Sequence, residues 1–129
     1  MIAGGPDRGM AFSLSAGNVS DYRAGRELIE RYDFPDSVED LVMDKGYSFY
    51  ETREACAAKS LNAVMPPKSN FRDPWPYNKN VYLYRNEIER LFHRLKNYRR
   101  IATRYDKLDA SYSGFILLGM IALILKVIC

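Results

Sequence analysis

The chain has 129 residues, the size of one domain and long enough to bury a core of ordinary proportions. Hydrophobic residues make up 47% and charged residues 27%, as in soluble globular proteins, so disorder is not the expected state. The net charge of +3 hides an asymmetry: residues 1–67 hold 7 Lys/Arg against 11 Asp/Glu, a net of −4, whereas residues 68–107 hold 11 against 4, a net of +7. The basic half faces a polyanion, faces the acidic half, or is a solvated surface.

The cysteines and the two ends of the chain exclude several classes of protein. Cys56 and Cys129 have no metal-ligand or redox spacing, which fits a reducing cytoplasm. Residues 1–8 lack the charged start and apolar run of a signal peptide. The apolar run at 114–125 has twelve residues, whereas a membrane span needs about 20. We expect a buried C-terminal helix, with a marginal membrane segment as the alternative.

The first half of the chain predicts alternating strands and helices. The apolar and turn patterns give a strand over 10–15, a helix over 21–32, a strand over 41–43, a helix over 50–59 and a strand over 62–65. Ser20 or Asp21 caps the first helix, and Leu28 and Ile29 face inward. This order predicts α/β packing with parallel strand pairing.

The second half predicts a loop and two helices. Four prolines in residues 66–78 prevent regular structure, so this segment is a basic, proline-rich loop. Residues 79–99 contain no Gly or Pro and carry apolar side chains at helical spacing, which predicts one long basic amphipathic helix over 79–104. An apolar C-terminal helix is predicted over 105–129.

Four polar residues of the long helix are predicted to share one face. Tyr82, Arg85, Glu89 and Lys96 are three, four and seven positions apart, which at about 100° per residue places them on one narrow stripe. Glu89 would lie at the rim of the core between two cations, an ionised carboxylate suited to bind a divalent metal near phosphate. The alternative is an ordinary surface ladder of ion pairs.

Asp44 strengthens the metal interpretation. It follows the buried strand at 41–43 and precedes Gly46, and open α/β sheets bind ligands at the carboxyl ends of their strands. Carboxylates are ligands for Mg²⁺, and a pair of such ions can activate a water and stabilise the leaving oxygen of a phosphodiester. A third acidic ligand is expected in such a site. The alternative for Asp44 is a turn or N-cap residue.

These motifs resemble a known family. The spacing Tyr82, Arg85, Glu89, Lys96 is similar to the pattern around the last catalytic glutamate of DDE transposases, and residues 85–108 resemble that region of the insertion-sequence family 5 group. Residues 43–47, Met-Asp-Lys-Gly-Tyr, resemble the block around the second catalytic aspartate, and residues 66–70 resemble the basic loop. The resemblance runs from about Met10 to the C-terminus.

The resemblance implies roles for the matching residues. Asp44 and Glu89 would be catalytic ligands of Mg²⁺ or Mn²⁺, and Glu87 does not fit the spacing. The first aspartate of the family would precede this chain; Asp7 and Asp21 are weak candidates for it. The residues implied to contact DNA, from the resemblance and from the basic run, are Tyr82, Arg85, Lys96, Arg90, Arg94, Arg99, Arg100 and Lys68.

The chain is accordingly expected to be an N-terminally truncated α/β, ribonuclease-H-like catalytic domain over residues 1–129. It would be the downstream part of a transposase that cleaves and transfers DNA strands at insertion-sequence ends, or an inactive fragment that binds DNA or pairs with full-length transposase. A frameshift product and a decayed copy both remain open. Expected partners are DNA and a homo-oligomer or the upstream transposase part, without a membrane, in the cytoplasm at the nucleoid.

Weaker signals carry two interpretations each. His93 is a solvated helix residue or lies near the site. Trp75 stacks on an unpaired base or packs against the domain. The basic run continues to Arg104 and Lys107 with Tyr98 and Tyr105 interleaved, a pattern typical of phosphate-backbone contact.

Overall fold

The computed structural model describes residues 1–128, with side chains described through residue 126. The strands are β1 (Ile2–Ala3), β2 (Gly9–Ala11), β3 (Asp40–Val42) and β4 (Asn62–Val64). The helices are α1 (Asp21–Arg31), α2 (Tyr50–Ala58), α3 (Lys79–Tyr82), α4 (Asn86–Leu95), α5 (Arg99–Ala102) and α6 (Asp109–Ile128), with 3₁₀ turns at Lys45–Tyr47 and Leu83–Arg85. The chain forms two compact units, a sheet unit over Ser15–Arg85 and a helical unit made of Met1–Leu14 with Asn86 onward.

The sheet unit contains the predicted parallel strands. β3 and β4 pair in parallel with Leu41 opposite Ala63, and α2 forms the crossover between them. Beside the ladder, the Asn62 side-chain amide donates to the Asp40 carboxylate over 2.7 Å. The core is formed by apolar side chains from the helices, the strand ends and the proline-rich loop: Ile29, Met43, Ala55, Cys56, Leu61, Met65 and Trp75. The prediction of mixed α/β structure is confirmed here.

The first predicted strand does not join that sheet. Residues 10–15 were expected to begin a parallel series, but β2 ends at Ala11 and pairs antiparallel with β1. The turn between them contains Gly5 at φ +150°, a conformation that favours glycine, so the chain can reverse within a few residues. The expected three-strand order is therefore wrong, because a local hairpin satisfies the backbone of β2.

The expected continuous helix over 79–104 is broken in two places. α3 passes into the 3₁₀ turn at Leu83–Arg85, and α4 ends at Leu95. The N–H groups of Asn97 and Tyr98 donate to carbonyls three residues back, which tightens and ends the last turn. The chain then starts α5, which places Ile101 against α6, where a Cβ on Gly119 would lie 2.6 Å from the Ile101 Cδ1. Packing on α6 overrides the helical periodicity.

The helical unit packs α4 against one face of α6. Leu91 and Leu95 of α4 meet Ile116, Met120 and Leu123, which recur at i, i+4 and i+7 along α6. The helix begins at Asp109, where the Arg104 guanidinium pairs with the Asp109 carboxylate, and not near Tyr105 as expected.

The opposite face of α6 is exposed, which corrects the expectation of a buried C-terminal helix. Leu118 retains 62% of its accessible surface, and Leu117, Ile121 and Leu125 are also exposed. Within the described residues, the stretch Asp109–Lys126 is the one helix whose length and composition would allow it to cross a membrane, and 22% of it is buried. Cys56 is a buried free thiol, whereas Cys129 lies outside the described residues.

Candidate metal and DNA-contact residues

Asp44 lies at the carboxyl end of β3 and begins the 3₁₀ turn that follows. Its Oδ1 accepts a hydrogen bond of 2.7 Å from the Gly46 backbone N–H. A Cβ on Gly46 would stand 2.8 Å from that oxygen, so glycine permits the close approach. The Asp44 carboxylate is exposed, and among the described residues only its Oδ1 accepts this hydrogen bond. Asp44 is therefore both the strand-end aspartate and the N-cap residue, the two interpretations of its sequence context.

Tyr47 connects Asp44 to the start of α1. Its ring is half-buried, and a Cβ on Gly25 of α1 would lie 2.3 Å from the Tyr47 Cε1. Burial raises the pKa of Tyr47, and the negative charges of Asp21 and Asp44 raise it further. The charges of Asp21 and Asp44 thus act on the same Tyr47 hydroxyl. Asp21 is the weak candidate for the first acidic ligand that the sequence offers.

An aromatic stack in the sheet unit was not predicted from the sequence. Tyr22 and Phe49 stack with ring centroids 4.3 Å apart and an interplanar angle of 28°. The Lys68 Nζ lies 3.4 Å from the centroid of the Phe49 ring. The sequence predicts that Lys68 contacts DNA, but it does not predict this contact with Phe49, because Tyr22, Phe49 and Lys68 come from separate parts of the chain and share no motif.

Trp75 packs against the sheet unit. Its indole is 7% exposed and its Nε1–H donates to the Met65 carbonyl over 3.0 Å. Its ring lies among Tyr50, Phe71 and the Arg53 guanidinium, the last 4.6 Å from the ring centroid. The packing interpretation is confirmed, and the base-stacking interpretation is not supported.

The predicted polar stripe is not one face of a regular helix. Tyr82 ends α3 and Arg85 ends the 3₁₀ turn, both within the sheet unit. Glu89 lies on α4, and Lys96 follows the last residue of that helix, both within the helical unit. Because a 3₁₀ turn has about three residues per turn, the 100° rule does not hold across this segment. Glu89 is exposed, which corrects the expectation that it lies partly desolvated at the core rim.

Asp44 and Glu89 belong to different units, and their sharing of one metal remains a prediction. Among the described residues, no three His, Cys, Asp or Glu side chains form a group that could hold a metal ion.

Several cations of the predicted DNA-contact set already have partners. The Arg90 guanidinium lies 2.6 Å from the Glu87 carboxylate, and that of Arg94 pairs with Asp7. Arg100 on α5 lies over the Phe115 ring, 4.5 Å from its centroid. All three remain exposed, as do Lys96, Arg99 and His93. The partners orient these side chains without burying their charges, so phosphate oxygens can still reach them.

Comparison with known protein families identifies the region that contains both candidate carboxylates. The family described as the transposase DDE domain matches residues 41–126, two thirds of the chain, a range that contains both Asp44 and Glu89. No curated protein and no solved structure matches the chain significantly. The chain belongs to the transposase DDE domain family.

Proposed function

We propose that this chain is the downstream part of a DDE transposase of the insertion-sequence family 5 group, with a ribonuclease-H-like fold. In the complete enzyme it would cleave and transfer DNA strands at insertion-sequence ends, with Asp44 as the second acidic ligand and Glu89 as the last. The observation that carries the proposal is the family match, because residues 41–126 include both carboxylates together with Tyr82, Arg85 and Lys96.

The chemistry of the two carboxylates suits Mg²⁺ or Mn²⁺, but their number falls short of a full site. Asp44 is exposed and its Oδ1 is held by the Gly46 N–H, which leaves its other oxygen to bind a hard cation. Glu89 is exposed on α4. The described residues form no three-ligand group, so a third carboxylate would have to come from elsewhere in the assembly. The metal, when bound, would activate the attacking water or hydroxyl and stabilise the leaving oxygen.

The basic residues would hold the DNA backbone. Lys96, Arg99 and Arg100 form an exposed positive run on the helical unit. In the sheet unit, Lys68 and Arg85 contribute cations, and Tyr82 contributes a phenolic donor. Such contacts depend on charge and not on base sequence, so affinity should fall steeply as salt increases. In this role the protein would act on DNA at the nucleoid in the cytoplasm, as an oligomer or together with the upstream transposase part.

A second function is favoured by the incomplete set of acidic ligands among the described residues. A chain that has the DNA-contacting cations but not a full metal site would bind DNA or pair with full-length transposase without cleaving, and so inhibit transposition. The two functions differ in one measurable property. Under the first, the chain cleaves DNA when the upstream part is supplied; under the second, it does not.

The apolar face of α6 does not by itself indicate a membrane protein. Its length and composition alone would allow a span, but the family match continues through Lys126 and so includes nearly all of the helix. We therefore assign α6 to the transposase domain. Recovery of the chain with membranes after fractionation, resistant to high salt, would contradict this assignment.

The test of the proposed function is cleavage of insertion-sequence ends by the chain joined to its upstream part. Glu89→Gln keeps the size of the side chain and removes its charge, and Glu87→Gln is the matched control on the same helix, since Glu87 pairs with Arg90. We expect Glu89→Gln to lose cleavage by about a thousandfold, from several kcal/mol of metal-assisted stabilisation, and Glu87→Gln to lose less than about tenfold. Equal activity of Glu89→Gln and the parent would overturn the catalytic assignment.

A further inference from the structure

The Phe49 ring contacts both the Tyr22 ring and the Lys68 ammonium, and the three residues come from three separate segments. Tyr22 comes from α1, Phe49 stands immediately before α2, and Lys68 lies in the proline-rich loop after β4. The Tyr22 and Phe49 rings are stacked, and the Lys68 ammonium lies over the Phe49 ring at 3.4 Å from its centroid. An ammonium so close to a ring face is held by the electrostatic attraction of the ring quadrupole.

The stack lies at the edge of the sheet where Asp44 is found. Val42 pairs with Val64 in the parallel register, so both strands leave the sheet at the same edge. Asp44 is two residues beyond Val42, and Lys68 is four residues beyond Val64. Phe49 is reached from Asp44 through one 3₁₀ turn. The carboxylate and the ammonium therefore share the carboxyl edge of β3 and β4, the edge at which α/β sheets bind ligands.

We propose that Phe49, supported by Tyr22, is a positioning residue that holds the Lys68 ammonium at the Asp44 edge to bind a DNA backbone phosphate. The proposal rests on the proposed transposase function. A lysine side chain is long and flexible, and fixing it costs conformational entropy at the moment of binding. The Phe49 ring restrains Lys68 before DNA arrives and occupies one side of the ammonium. The remaining N–H donors stay available, because Lys68 is only half-buried.

The experiment measures how the affinity of the chain for duplex DNA varies with salt, by fluorescence anisotropy, for Lys68→Ala, Phe49→Leu, their double variant and Phe49→Trp. The slope of log affinity against log salt is negative, and a lower slope means one of smaller magnitude. Lys68→Ala should lower this magnitude by about one, because one phosphate contact is lost. Phe49→Leu should lower the slope partway. When Phe49→Leu is added to Lys68→Ala, neither the slope nor the affinity should change further, because the ammonium that Phe49 positions is already absent. Phe49→Trp should retain the parental slope.

Lys59→Ala is the matched control. Lys59 caps the far end of α2, where the chain returns to the opposite edge of the sheet, and it pairs with Asp33 at 3.6 Å. Its removal should leave the slope unchanged. Tyr22→Leu is a second test that keeps the Phe49 ring but removes its support, and it should lower the slope as Phe49→Leu does. Circular dichroism establishes that each variant is folded.

Three results would overturn the proposal. One is a parental slope in folded Phe49→Leu and Tyr22→Leu. Another is an equal loss of affinity from Phe49→Leu with and without Lys68, which would mean that Phe49 serves folding alone. The third is failure of the parent chain to bind DNA in a salt-dependent way, which would also overturn its proposed DNA contacts. Parental DNA binding thus distinguishes failure of the positioning role from failure of the proposed function.

Discussion

Trp75 connects the proline-rich loop to the core of the sheet unit, and its replacement should unfold that unit more easily. Trp75→Phe keeps an aromatic ring but removes the indole donor. The Met65 carbonyl then loses its hydrogen bond of 3.0 Å in a place where Met65 is fully buried. An unsatisfied buried acceptor costs about 1–3 kcal/mol. Trp75→Ala also removes the contacts with Tyr50 and Phe71 and leaves a cavity, for a total of about 3–5 kcal/mol.

The assay for Trp75 is urea unfolding followed by circular dichroism, because the chain has a single tryptophan and fluorescence would be lost with it. Tyr84→Leu is the matched control: this aromatic residue is 68% exposed, so its replacement should change the free energy of unfolding by less than about 0.5 kcal/mol. A Trp75→Phe variant as stable as the parent would contradict the stabilising role of the indole hydrogen bond. A Trp75→Ala variant that binds DNA more weakly but is as stable as the parent would show that Trp75 is a base-stacking residue and not a core residue.

Three further predictions concern stability and reactivity. Leu91→Ala, at a fully buried position between α4 and α6, should cost about 2–5 kcal/mol of unfolding free energy in urea titration, whereas a loss below about 1 kcal/mol would refute that packing. Ser60→Gly should raise the urea midpoint, because Ser60 has φ +58°, a conformation that penalises side chains by about 1 kcal/mol; a lower midpoint would contradict this. Burial raises the pKa of Cys56 to about 11 from 9.0, so in a Cys129→Ser background the folded chain should not react with a thiol reagent at pH 8. Because the unfolded chain loses this proton first, stability should fall as pH rises from about 9 to about 11, and a pH-independent stability there would refute the buried thiol.

Local patterns in the sequence predict several elements well. Short apolar runs and turn residues identify β3, β4 and their crossover helix α2, and the parallel pairing of the two strands is confirmed. The Asp44-Lys-Gly-Tyr motif correctly predicts a carboxylate at a strand end with a glycine-dependent turn. Each strand, helix and turn named here is formed by residues close together in the chain, which is why the sequence indicates it.

Other features depend on tertiary contacts that local patterns do not contain. The sequence predicts one continuous helix over 79–104, whereas the structure breaks it in two places. Apolar spacing alone does not show that the chain must turn so that Ile101 packs against Gly119. The contacts of Phe49 with Tyr22 and Lys68 join three segments and have no local motif. Likewise, β1 is two residues long and gives no strand pattern, although the glycines after it indicate a turn.

Direct ligation of a metal by Asp44 and Glu89 is the central claim, and a change of metal preference tests it. In the chain joined to its upstream part, Asp44→Cys and Glu89→Cys each replace a hard oxygen ligand with a thiolate, which disfavours Mg²⁺ far more than Mn²⁺. Cleavage of insertion-sequence ends should be lost with Mg²⁺ in both variants and partly restored by Mn²⁺. Cleavage by either variant at the parental rate with Mg²⁺ would contradict the claim for that residue.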